Sequence, residues 1–175
     1  MIICITVSCN NKNLSKETAH VLIVKKYNYP TAIDYDIFCS DPVHATNVIR
    51  AGLEDKGLVT VKRTLKLRDV GKPLIEFTSR AKSFLMETSV NDRSYYIQKI
   101  KIGTENFDKI TKMDFSKSMN VMIVEYITIR QYNVFGKLLK KEANEEKTNI
   151  DYFYFAQDGW EIVKRKDAES GRFSK

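Results

Sequence analysis

Cysteine and histidine are scarce in this chain. Cys4, Cys9 and Cys39 are the three cysteines among 175 residues, and His20 and His44 are the two histidines. No Cys-x-x-Cys pair and no His/Cys cluster occurs, which argues against a structural zinc site. A Cys39–His44 dyad would join a loop to a helix start across five residues with nothing to orient the imidazole, so it predicts no nucleophilic centre. G-x-G-x-x-G, P-loop and G-x-S-x-G signatures are missing as well. Long apolar runs are absent: none approaches the roughly 18 to 20 residues of a membrane-spanning helix. Repeats of solenoid length and low-complexity linkers are also lacking. These absences leave no catalytic residues, no metal ligands and no cofactor to propose, and the chain reads as a non-enzyme.

What is present is charge, with a positive bias. The net charge is +7, from 29 Lys and Arg against 22 Asp and Glu. Residues 1–86 hold 13 basic and 8 acidic groups, residues 87–175 hold 16 and 14. Such a surplus suits nucleic acid or an anionic membrane surface. Acids are interspersed nearly everywhere, however, as on an ordinary solvated surface.

The N-terminal half is rich in helix signals. Ser15 is a natural N-cap, Glu17 favours the positive first turn, Leu14 can staple to Ala19, and Pro30 stops the run. "TAIDYDIF" (31–38) reads as one or two helical turns. Asp41 then caps a helix over 42–56, with Pro42 in its first turn and Gly57 as terminator. Ala45, Val48, Ile49, Gly52 and Leu53 form its buried stripe, and Gly52 suggests close packing. Val59, Val61, Leu65 and Leu67 alternate with polar residues, "DVGK" turns the chain, and "PLIEF" returns. Thr78 caps a short helix. "LEDKGLV", the two-stranded wing and "FTSRAKSFL" together resemble bacterial winged-helix regulators.

Beyond Glu87 the chain turns to β-branched and aromatic residues in strand-like runs. "SYYIQKIKIG", "ITKMDFSKS", "NVMIVEYITIRQY", "NIDYFYFAQ" and "WEIVKR" read as strands, with "KEANEEKT" as a polar loop carrying Glu145 and Glu146. "GKLL" reads as a helical turn. Asp158-Gly159 is a hairpin signal flanked by Phe155 and Trp160. The predicted architecture is α+β: a winged-helix-like subdomain (14–86) packed on a small antiparallel β-sheet subdomain (87–166). A stub (1–13) precedes them and a flexible tail (167–175) follows.

Two constellations could carry function. A DNA-binding winged helix would offer His44, Asn47 and Arg50 to base edges and Lys62, Arg63, Lys66 and Arg68 to phosphates. Glu54 and Asp55 at the helix end oppose it. The aromatic run "DYFYFAQDGW" could stack bases or hold a small ligand. A core face with Trp160 plugging the sheet end is the simpler account.

"SCNNKN", "LSKETA" and the long stretch "VEYITIRQYNVFGKLL…NIDYFYFAQDGWEI" resemble bacterial envelope lipoproteins over nearly the whole chain. Val134 stands where those proteins usually carry Thr-Pro. The resemblance implies that "ITVSC" is a lipobox-like remnant, with Ser8 as the small residue before cleavage and Cys9 as the lipidated residue. Residues 1–8 lack the Lys or Arg of an n-region. If the stretch is instead a strand, Ile3, Ile5 and Val7 should be buried together. The implied protein is a periplasm-facing lipoprotein, held at the membrane through Cys9 and binding another protein. The alternative is a cytoplasmic winged-helix DNA-binding protein. Cys39, left without a partner, is expected to be a buried small hydrophobe.

Overall fold

The computed structural model describes residues 13–64, 71–141 and 143–173. Cys9 with residues 1–8, and the wing residues Lys66 and Arg68, lie outside the described residues.

The fold is α+β, with a five-stranded antiparallel sheet as its main element. In chain order the elements are α1 (Lys16–Tyr27), β1 (Thr31–Phe38), α2 (Pro42–Arg50), β2 (Val59–Val61) and β3 (Ile75–Phe77). A 3-10 turn (Ser79–Phe84), α3 (Val90–Ser94), β4 (Ile97–Ser116) and β5 (Val121–Tyr132) follow. A second 3-10 turn (Val134–Leu139), β6 (Glu145–Ala156), β7 (Gly159–Val163) and α4 (Arg165–Ser170) complete it. The sheet order is β1-β4-β5-β6-β7, and β2 pairs with β3 as a separate ribbon.

Helix starts follow the side-chain chemistry. Ser15 Oγ accepts the Thr18 amide at 3.1 Å. Asp41 Oδ1 accepts those of Val43 and His44 at 2.6 and 3.4 Å, and Thr78 Oγ1 accepts that of Arg80 at 3.2 Å. These bonds satisfy donors that a helix start leaves open. α2 ends at Arg50, earlier than the predicted 42–56, because Gly52 adopts φ +69° and turns the chain. A Cβ on Gly52 would meet nothing nearer than 3.9 Å, so its role is backbone conformation and not close packing. Ile49, predicted in the stripe, is 38% exposed, while Ala45, Val48 and Leu53 are buried.

Residues 31–38 correct the helical expectation: they form β1, antiparallel to β4 from Thr31↔Glu105 to Phe38↔Ile97. Ile33, Tyr35 and Ile37 turn inward while Asp34 and Asp36 face out, a period of two that only a strand can use. Lys99 on β4 secures the outer row, with Nζ 2.6 Å from Asp34 and 3.0 Å from Asp36. Of the winged-helix layout, α2 and the β2–β3 ribbon are present, and a strand stands where the second helix was expected. "SYYIQKIKIG" and "ITKMDFSKS" merge into the 20-residue β4. Glu145 and Glu146 begin β6 instead of lying in a loop.

The chain groups into two compact units that are interleaved in sequence. The first unit takes residues up to 29, 107–128 and from 147 onward; the second takes 30–106 and 129–146. α1, grouped by sequence with the helices that follow it, thus belongs with the later strands. The first unit's core is Leu14, Ala19, Ile23, Val124, Tyr126 and Phe153. In the second unit Ile37, Val48, Leu53, Ile100, Ile102 and Phe135 are central to a larger cluster. Cys39 is buried in that cluster as expected, and burial pushes its thiol up to about 11. The segment predicted as a tail contains most of α4, with Ala168 buried, and Phe173 stacks on Tyr154 at 3.7 Å.

Candidate functional site

Two recesses of distinct chemistry, one in each unit, stand out among the described residues. In the first unit, Phe115, Met122, Tyr154, Phe155 and Trp160 line a recess of about 420 Å³, to which Asn13 and Asn120 add amides. The β6–β7 hairpin builds one wall. Ala156 pairs with Gly159 around the Gln157-Asp158 turn, which sets Phe155 opposite Trp160. Their rings meet edge to face at 5.3 Å. Phe115 is 52% exposed despite its size. The Trp160 indole Nε1 is buried and has no acceptor among the described residues. A buried donor without an acceptor costs about 1–3 kcal/mol, so it is a feature to account for.

The same unit holds a polar core network. Asp151, buried on β6, accepts the Tyr27 hydroxyl at 2.6 Å and the Tyr126 hydroxyl at 3.2 Å. Burial, with the Asp151 carboxylate adding to it, raises both phenols well above the ordinary range. They are protonated hydrogen-bond donors at physiological pH, which suits a structural role.

In the second unit, Arg50, Lys56, Lys137 and Lys140 line a recess of about 540 Å³ together with Asn47 and Asp55. Ala51, Gly52 and Leu138 complete its lining. The end of α2, the turn after it and the 3-10 turn at 134–139 supply these residues. That turn is fixed by Asn133, whose Oδ1 accepts the Phe135 amide at 2.8 Å while Nδ2 donates to the Lys101 carbonyl at 2.7 Å. Phe135 is fully buried beneath it.

Of the residues predicted to contact DNA, Asn47 and Arg50 come together in this recess. His44 does not join them: its Nδ1 accepts the Phe38 amide at 3.4 Å and its ring packs on Tyr35 and Phe38. Lys62 lies 2.5 Å from Glu76, and Arg63 grips Glu54 at 2.6 and 3.3 Å. The Arg63 contact and the Val61 amide hold the Glu54 carboxyl below its usual range. Lys137 and Lys140 were missed because "GKLLKK" reads as a turn whose three-dimensional neighbour is far away in sequence. His20 packs on Phe107 with ring centroids 4.6 Å apart. Among the described residues, no three His, Cys, Asp or Glu side chains gather to hold a metal. None of the described helices is long and apolar enough to cross a membrane. Comparison with protein-family models, curated proteins and solved structures finds no match to this chain.

Proposed function

We propose that this protein is a non-enzymatic bacterial envelope lipoprotein, anchored through Cys9, whose first unit receives an extended segment of a partner protein in its aromatic recess. The observation that carries the reading is the recess itself. Five large apolar side chains surround a concavity of ligand-binding size, and one of them, Phe115, remains largely exposed. An extended peptide fits because it brings backbone carbonyls for the Asn13 and Asn120 amides and apolar side chains for the aromatic lining. Asn13 lies four residues beyond Cys9, so an anchored chain would hold this surface close to the membrane.

The test places p-benzoylphenylalanine at Phe115, with a second site at exposed Lys25 as control, and irradiates intact bacterial cells. The reading expects a discrete adduct with one protein from position 115, weakened by Trp160→Ala and missing from position 25. Equal adducts at both positions, or none at 115, reject it.

A second reading, the winged-helix DNA-binding protein, draws support from Asn47 and Arg50 sharing a basic recess. It stands second because Lys62 and Arg63, two of the cations meant for phosphates, are held by Glu76 and Glu54. It requires retention of the full chain on duplex DNA at low salt, reduced by Arg50→Ala.

A further inference from the structure

We infer that the basic recess of the second unit is a binding site for a phosphate-bearing ligand with two or more negative charges. The inference depends on neither the anchor nor the aromatic recess. Four cations and a single carboxylate line this concavity. Arg50, Lys56 and Lys140 have no ion-pair partner among the described residues.

Among the described residues, two carboxylates close by in sequence are already engaged. Glu54 is bound by Arg63 and by the Val61 amide, and Glu145 by Lys141 and by the Tyr132 hydroxyl. Among the described residues, that leaves Asp55 as the single carboxylate lining the recess beside Arg50, Lys56 and Lys140. Like charges in a concave site repel, and the field they focus is relieved by a multivalent anion. Arg50 supplies the forked donor geometry that matches phosphate oxygens, and the lysines act as point charges around it.

The shape selects a compact ligand over a nucleic-acid strand. A strand needs cations spread along a track, whereas here they line one cavity of about 540 Å³, and Lys62 and Arg63 of the β2–β3 ribbon region are neutralised. Ala51 and Leu138 offer a small apolar surface for whatever carries the phosphate. The same chemistry is met by a soluble di- or polyphosphate and by a phosphomonoester lipid headgroup.

The experiment titrates the full chain with pyrophosphate by calorimetry at low salt, with phosphatidate and phosphatidylcholine vesicles in parallel. Saturable pyrophosphate binding is expected, weakened about tenfold by Arg50→Ala or Lys140→Ala, as for loss of one charge-assisted contact. Asp55→Asn, which removes the opposing charge without touching the core, should tighten binding several-fold. Phosphatidate vesicles that bind and are displaced by pyrophosphate support the site and name the lipid as its source. Phosphatidate vesicles that do not bind name the soluble phosphate instead. The inference fails if pyrophosphate does not bind, if the three variants titrate like the parent, or if duplex DNA is retained without competition from pyrophosphate.

Discussion

At the scale of single residues, the informative group is Asp151 with its two tyrosines. Tyr126 is 2% exposed, so removing its acceptor strands a hydroxyl that water cannot reach. Asp151→Ala is expected to destabilise the chain by about 2 kcal/mol, measured as a shift of the urea midpoint. The same network sets a pH limit. Both phenols titrate higher in the folded chain than their ordinary value of 10.0, so the fold retains these protons more tightly than the unfolded chain does. Their contribution is complete below about pH 10 and is lost as pH rises above it toward the folded values. Urea midpoints should therefore hold up to about pH 9 and fall beyond about pH 10, with a shallower fall in Tyr126→Phe. Equal slopes in the two proteins would assign the loss to other groups.

At the scale of elements, some of the structure was legible in the sequence and some was not, for physical reasons. Ser15, Asp41 and Thr78 announced their helical segments because capping is a local hydrogen bond between near neighbours. The β6–β7 hairpin was readable from a local signal too, although its turn residues are Gln157 and Asp158, with Gly159 already in β7. β1 was not. Its inward row of Ile33, Tyr35 and Ile37 becomes meaningful only against a partner that begins some sixty residues later, and two aspartates made it look unlike a strand. Lys99 removes that objection by pairing with both of them. The basic recess was half visible, through Asn47 and Arg50. Lys137 and Lys140 reach it from a turn that no local pattern connects to α2.

β4 and β5 also impose a constraint that sequence alone conceals. A Cβ at Gly103 would lie 2.6 Å from the Gln131 carbonyl oxygen and 3.3 Å from Tyr132 Cα. Because the obstacle is backbone, the strands themselves would have to separate. Gly103→Ala should lower stability by about 1–3 kcal/mol, the usual range for overpacking. Circular dichroism through a urea titration would check it, and an unchanged midpoint would show that the strands yield easily.

At the scale of the whole molecule, the proposed function divides between an address and two surfaces. The address is the reading of "ITVSC", and it belongs to the entire chain because anchoring would fix where both recesses work. Detergent partitioning of the full-length protein tests it: Cys9→Ala should move the chain from the detergent phase to the aqueous phase. Identical partitioning of parent and variant would remove the anchor. The basic recess draws its four cations equally from both halves, Arg50 and Lys56 from residues 1–86 and Lys137 and Lys140 from beyond, so the charge surplus of residues 1–86 does not locate it. The winged-helix layout is not confirmed: β1 pairs with β4 where a second helix was foreseen, and α1 belongs to the other unit.

Trp160 has a consequence of a different kind. It is the single tryptophan of the chain, it lines the aromatic recess, and it belongs to the first unit. Its ultraviolet emission is therefore a native optical reporter with one location. A ligand entering that recess should change the colour or yield of the light directly, while events confined to the second unit leave it largely unchanged. Denaturation followed by this emission and by far-ultraviolet dichroism would then watch different parts of one polypeptide, and any gap between the two curves would measure how independently the units come apart.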